Sequence, residues 1–207
     1  MIRELDEGHI VHKGGIYVVA LSKNYSFDAV QNLVIDNRNN KRLPYDINSK
    51  ILIYEDRQKT WFFEIADCLK LMNEAGFIIL MIAVSYLEAN QQFREGESSN
   101  RDSMNTIGRA LKRIFPELKE EWFEKIIDGA RNGLFHSGIT KKGVLISGNP
   151  KEVFTELQSN LIINPHLFLD SIKKDYEDYI QLLKNPSNSQ ERINFEKFWD
   201  TCGGFDF

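Results

Sequence analysis

The sequence predicts a mainly helical fold with a small β-hairpin insertion and a short N-terminal strand and loop appendage. Three observations carry this. Trp61, Ile65, Cys68, Leu69 and Met72 recur at spacings of three and four, the mark of an amphipathic helix. The run "FIILMIAVSYL" at 77–87 is apolar almost all round, which predicts a central buried helix. Short β-branched runs are confined to the first 55 or so residues and to 144–163.

Taken in order, "GGIYVVALS" and "NLVID" read as strands, and "NRNN" and "LPYDINS" as the turns after them. These place an appendage at 1–55 and a helical domain at 56–207. From 58 to 94 the pattern is helical, with Gly76 marking a break or kink. "REGESSNRDS" reads as an exposed loop. Ser103 is expected to cap a helix bearing Ile107, Leu111, Ile114 and Phe115, which Pro116 closes. Glu117, Glu120 and Glu121 suit the first turn of the next helix, where the dipole favours acids. Its core face is Trp122, Phe123, Ile126 and Ile127, and it runs past Ala130 toward His136, stopping near Gly138. "KKGVLIS" and "NLIIN" are expected to pair as the inserted hairpin. Asn164 and Pro165 open a helix reaching Lys184 with Leu169, Ile172, Tyr176, Tyr179 and Ile180 inward, and a short helix at 191–199 follows.

A chain of 207 residues buries enough surface to need neither disulfide nor metal. Cys68 and Cys202 are far apart and lack any ligand or redox spacing, so they read as buried or incidental thiols in a reducing compartment. His9 and His12 lack the further ligands that would complete a metal site. Neither metal nor cofactor is expected. The first residues carry acids and no apolar stretch, so no signal peptide is expected. No apolar run approaches the ~18 residues of a membrane span, and a cytoplasmic protein without membrane association is expected. The net charge of −4 and the pI near 5.7 argue against gripping nucleic acid by global electrostatics. Any RNA function must therefore rest on a small patch.

The motifs of hydrolases, P-loops, dinucleotide sites, zinc proteases and calcium loops are absent. Glu88 stands at the end of the most apolar helix. It is either a helix end emerging into water or a group that orients a catalytic residue or meets substrate. The segment "DGARNGLFHSG" at 128–138 places Arg131, Asn132 and His136 on about one and a half turns. Five residues advance an ideal helix by about 7.5 Å and 500°, leaving Arg131 and His136 about 140° apart. They share a cleft only if the helix changes near Gly133, if His136 hangs off its end, or if a second copy packs against it. The residue types suit metal-free phosphodiester cleavage. Arginine binds phosphate oxygens with a planar fork, histidine moves a proton near neutral pH, and asparagine orients either of them.

The run "ARNGLFHSG", preceded by the helix "ILMIAVSYLEANQQF", resembles the HEPN (higher eukaryotes and prokaryotes nucleotide-binding) superfamily over roughly 61–184. In that family an arginine with a polar follower precedes a histidine by four to six positions; Arg131, Asn132 and His136 match in turn. The resemblance implies a HEPN-like helical bundle, a homodimer with facing motif helices, and a metal-independent endoribonuclease of toxin or antiviral systems, with a cognate inhibitor protein in some settings. It also implies an RNA substrate, with His136 as general base or acid, Arg131 stabilising charge on the phosphate and Asn132 positioning it. Substrate contacts are expected at Lys141, Lys142, Arg109 and Glu88, with Lys112 and Arg113 near them; the basic members are otherwise ordinary solvent-facing charges. The apolar face of the helix at 122–135 points to the same homodimer. Because some members of the family lack activity, the alternative is a non-catalytic helical binding module for a protein partner or nucleotide. The strands at 144–163 and the acidic balance depart from the family pattern.

Overall fold

The structure, a computed structural model, describes residues 10–13, 16–99, 102–141 and 143–202. It is an α+β fold. The expected mainly α HEPN-like bundle, with a small inserted hairpin and a short N-terminal strand and loop appendage, is overturned by two sheets, of five and three strands, among the described residues.

The chain forms two compact units, Met1–Ile65 with Leu182–Phe207, and 66–181. In the first, β1 (Ile10–Lys13), β2 (Ile16–Ala20), β3 (Tyr25–Asp28), β4 (Leu33–Asp36) and β5 (Lys41–Pro44) form an antiparallel meander in chain order. Two hairpins of the same build join β3 to β4 and β4 to β5. In each, an Asp side chain accepts from backbone amides ahead of it: Asp28 from Val30 and Gln31, and Asp36 from Arg38. Each then closes on an asparagine in the left-handed region, Asn32 (φ 54°) and Asn40 (φ 55°), where asparagine is tolerated better than most residues. β3 and β5 escaped the sequence reading because neither alternates: all four residues of β3 are buried, and β5 is mostly exposed.

Helix α1 (Ile47–Arg57) begins where a turn was expected, because Asp46 caps it by accepting from the Ser49 amide at 3.0 Å. It continues through a π-helical stretch (Gln58–Phe63) into α2 (Glu64–Leu69). The expected boundary near residue 55 therefore falls inside a continuous helical run. Helix α8 (Ser189–Cys202) packs on α1: Tyr54 meets Phe195 edge-on at 5.4 Å, and buried Lys50 reaches Glu196 at 2.9 Å and Asp200 at 2.8 Å. The Trp199 indole donates to the Tyr45 hydroxyl at 3.0 Å, and the Arg57 guanidinium lies over the rings of both Trp61 and Trp199.

In the second unit, α3 (Gly76–Glu95), α4 (Ser103–Ile114) and α7 (Pro165–Lys184, up to residue 181) build the core. Its apolar centre includes Ile79, Leu80, Leu87, Ile107, Leu111, Phe168, Leu169 and Ile172, all fully buried. Gly76 opens α3 instead of kinking a longer helix, and the residue before α4 is Asp102, with Ser103 as the first helical residue. Helix α3 is not buried all round, since Phe77 and Ile78 face outward, as do Ile65, Cys68 and Met72 from the segment before it. Cys202 is exposed too. A polar cluster ties the three helices together. Asp175 of α7 accepts from Arg94 of α3 at 3.1 Å and from Arg113 of α4, while buried Asn90 accepts from Arg94 at 2.8 Å. Burial, reinforced by the like charge of Arg94, pushes the Arg113 guanidinium down to about 10.

Helix α5 (Glu120–Glu124), a π-helical stretch (Lys125–Asn132) and α6 (Gly133–Ser137) form one unbroken rod. Ile126, Ile127, Ala130 and Leu134 bury its apolar side within the chain, and half-buried Trp122 packs near Phe154 at 6.3 Å. These four buried residues are thus covered without a second copy. After it come β6 (Val144–Ile146), β7 (Phe154–Leu157) and β8 (Asn160–Ile163) in the order β6-β8-β7. The expected partners β6 and β8 do pair, but in parallel, and the hairpin is β7 with β8. Asn164 then caps α7, its Oδ1 accepting from the amides of His166 and Leu167. No helix among the described residues is long and apolar enough to cross a membrane.

Removing 1–54 takes away most of α1 and Tyr45, and strips cover from Phe195 and Trp199, two fully buried aromatics. A chain starting at residue 55 is therefore expected to aggregate or to lose its cooperative thermal transition in calorimetry.

Candidate functional site

The rod that carries Arg131 and His136 is held against the chain that follows it by two glycines one turn apart. Gly138, at φ 69°, ends α6 in the left-handed conformation that glycine adopts without strain, and its amide donates to Leu134 at 3.1 Å. The backbone then folds back over the rod, and the Lys141 amide donates to the Gly129 carbonyl at 3.0 Å. A Cβ on Gly133 would lie 2.5 Å from the Ile139 carbonyl oxygen and 2.9 Å from the Lys141 nitrogen. One on Gly129 would lie 2.3 Å from the Val144 side chain. Only bare backbone lets Ile139, Thr140, Lys141 and Val144 approach this closely.

The opposite side of the rod faces α3. The π-helical stretch ends at Asn132, so Arg131 sits on its last turn. From Gly133 to His136 the rod is α-helical again, so the wider π turn lies almost wholly before Arg131 and narrows its angle to His136 only slightly. Both side chains line one open cavity of about 480 Å³, with Val84, Ser85, Glu88, Ala89 and Gln92 of α3 as its other wall. His136 is exposed on that rim. Short π segments of this kind occur often at functional sites.

Arg131 is held at both ends of its fork. Its Nη2 donates to Glu88 Oε2 at 3.1 Å and its Nη1 to Asn132 Oδ1 at 2.9 Å. Both ion-paired side chains are mostly buried, Arg131 at 28% exposure and Glu88 at 20%. The second Glu88 oxygen accepts from the Ser99 hydroxyl at 2.8 Å. Burial alone would push the Glu88 carboxyl up, but hydrogen bonds from Ser103 and Ser99 and the charge of Arg131 outweigh it and hold the group below its ordinary range. Glu88 is therefore a carboxylate at neutral pH.

Glu88 is not a helix end emerging into water, because α3 runs on to Glu95 and leaves it in mid-helix. Asn132 turns toward Arg131, and its amide nitrogen reaches Asp128 at 3.4 Å. The expected basic rim lies elsewhere. Lys141 pairs with Asp128 at 2.5 Å, Arg109 pairs with Glu95 through two nitrogens at 2.6 and 2.8 Å, and Arg113 is engaged by Asp175. None of these three lines the cavity. Lys142 lies outside the described residues, as do His9 and the side chain of His12. Among the described residues no group of three or more His, Cys, Asp or Glu is placed to hold a metal ion.

Ser85 and Gln92 were missed by the sequence reading. The signal for them was present: Ser85, Glu88 and Gln92 are polar residues at spacings of three and four, a stripe along one face of α3 that begins within its apolar run. Compared with protein-family models, with curated proteins and with solved structures, the chain matches none of them.

Because a Cβ at Gly133 would collide with backbone and not with a movable side chain, Gly133→Ala is expected to cost about 1–3 kcal/mol, the scale of an overpacked site. Gly108, inside α4 with nothing within 4 Å of its Cβ position, serves as the control. Gly108→Ala is expected to gain about 0.4–1 kcal/mol. Urea denaturation of both variants checks the opposite signs.

Proposed function

We propose that the chain is a metal-independent endoribonuclease of the HEPN type, and that the Arg131–His136 cavity is its active site. The observation that supports this most is the meeting of Arg131 and His136 in one cavity with an ionised Glu88, because linear spacing on an ideal helix would have kept the two apart. The proposal rests on the motif and its surroundings and not on a whole-chain likeness. RNA supplies its own nucleophile, the 2′-hydroxyl, so the protein has to supply a proton acceptor or donor and a cation.

In this reading a phosphodiester enters the open cavity and its non-bridging oxygens meet the Arg131 fork. His136 removes the proton from the 2′-hydroxyl as oxygen attacks phosphorus, or protonates the departing 5′-oxygen, and the phosphate becomes a 2′,3′-cyclic ester. Asn132 acts on Arg131, the partner it touches. A homodimer, a cognate inhibitor protein and a place in toxin or defence systems belong to the same proposal, carried by the resemblance, and a cytoplasmic setting belongs to it on the cysteine pattern and the lack of a long apolar run. A second reading is favoured by the same ion pair: since Arg131 already has a carboxylate partner, it also suits a non-catalytic binding module for a protein partner or nucleotide.

Cleavage of a mixed RNA pool in EDTA separates the two. Wild-type protein is expected to cut, and His136→Ala to lose roughly 10²–10⁴-fold, as expected for loss of a general acid or base. Arg131→Ala should lose comparably, and Arg131→Lys should recover little, because an ammonium cannot reproduce the planar fork. Full activity in His136→Ala, or wild-type cutting abolished by chelator, contradicts the enzyme reading.

A further inference from the structure

Helix α3 ends at Gly96, whose φ of 70° turns the chain back along the helix it has just left. The amides of Gly96 and Glu97 both donate to the Gln92 carbonyl, at 2.8 and 3.2 Å. Three residues beyond the cap, Ser99 makes two contacts to α3 side chains that line the cavity. Its amide donates to Gln92 Oε1 at 2.9 Å, and its hydroxyl donates to Glu88 Oε1 at 2.8 Å. Glu88 in turn presents its other oxygen to Arg131. The path from the Gly96 turn to the guanidinium is therefore continuous and made of hydrogen bonds between described groups.

We propose that Ser99 and Glu88 form a positioning relay that sets the Arg131 guanidinium, so that the loop after α3 governs the geometry of the cavity without touching what binds there. This deepens the reading of the cavity as a ribonuclease site and rests on it for its catalytic consequence. The chemistry favours a positioning role for Glu88 over a substrate contact, since a carboxylate repels a phosphodiester. Ser103 also bonds Glu88, and a carboxylate held by the Ser99 hydroxyl with that second bond has one preferred orientation left toward Arg131, so a planar fork docked on it is fixed in turn. Freed from Glu88, Arg131 keeps its charge and its attraction for phosphate but loses its aim. The relay therefore affects turnover more than ground-state binding.

The test uses the full chain and two readouts. In the first, side-chain ¹⁵N NMR follows the Arg131 Nε–Hε signal, assigned by its loss in Arg131→Lys. The signal is expected to report a rigid group in the wild type and a mobile one in Glu88→Gln and in Ser99→Ala, with Ser99→Thr, which keeps the hydroxyl, restoring rigidity. In the second, cleavage kinetics on an RNA oligonucleotide are expected to show kcat falling by up to about 10²-fold in Glu88→Gln, the scale of a misplaced group, with KM nearly unchanged. An Arg131 signal unmoved by both substitutions overturns the relay, whatever the kinetics. A fall in kcat without a change in that signal also overturns it, because Glu88 would then act directly. Loosening of Arg131 in both variants of a protein whose wild type cuts no RNA upholds the relay and removes the ribonuclease reading.

Discussion

Gly129 and Gly133 form a bare strip on the motif helix, and the backbone of 139–141 and the side chain of Val144 lie directly on it. Much of the second unit follows from that contact. It fixes the roll of the rod about its axis, so that the side away from the strip, with Arg131, is turned to α3. It brings Val144 onto the rod and so starts β6, whose parallel pairing with β8 sets where the chain enters α7. A side chain at either position would hold the returning strand off by more than a packed interior tolerates, since such interiors leave few gaps larger than a water molecule.

The site built on this contact is a compromise between stability and chemistry. Breaking a buried ion pair by removing one partner leaves an uncompensated charge, and costs about 3–5 kcal/mol where burial is complete. The Arg131–Glu88 pair is only partly buried, with Arg131 at 28% exposure, so its loss costs less and its cation remains reachable from the cavity. An arginine aimed by a carboxylate and open on one side can take up a phosphate oxygen without first being organised. The structure thus places rigidity in α3 and the rod, and leaves access at exposed His136.

Helices with a long apolar period were legible in the sequence. The α7 bounds and its buried set, Leu169, Ile172, Tyr176, Tyr179 and Ile180, agree with the spacing, as does the stop at Gly138. Local signals that do not look periodic were not. The two hairpins share the pattern Asp, three residues, Asn, as "DAVQN" and "DNRNN", a repeat with a turn mechanism that composition alone hides. Strand β3 is buried on both faces and β5 on neither, so neither shows alternation. Arg131, Asn132 and His136 were legible as a cluster, but the cavity that Arg131 and His136 share was not, because its other wall comes from α3, about 40 residues away in the chain. The basic residues near the motif looked like a substrate rim, and tertiary partners, Asp128 for Lys141 and Glu95 for Arg109, engage them instead.

The central claim is that the RNA's own 2′-hydroxyl is the nucleophile and that the chain only moves a proton and holds charge. It is tested most directly by the chemistry of the cut end. An RNA oligonucleotide is treated with the wild-type chain in EDTA beside a copy carrying a single 2′-deoxy sugar at the cleaved position, and the products are read by mass spectrometry. The account predicts a 2′,3′-cyclic phosphate on the upstream product and no cleavage at the deoxy position. A 3′-hydroxyl end, or cutting at the deoxy sugar, would contradict it.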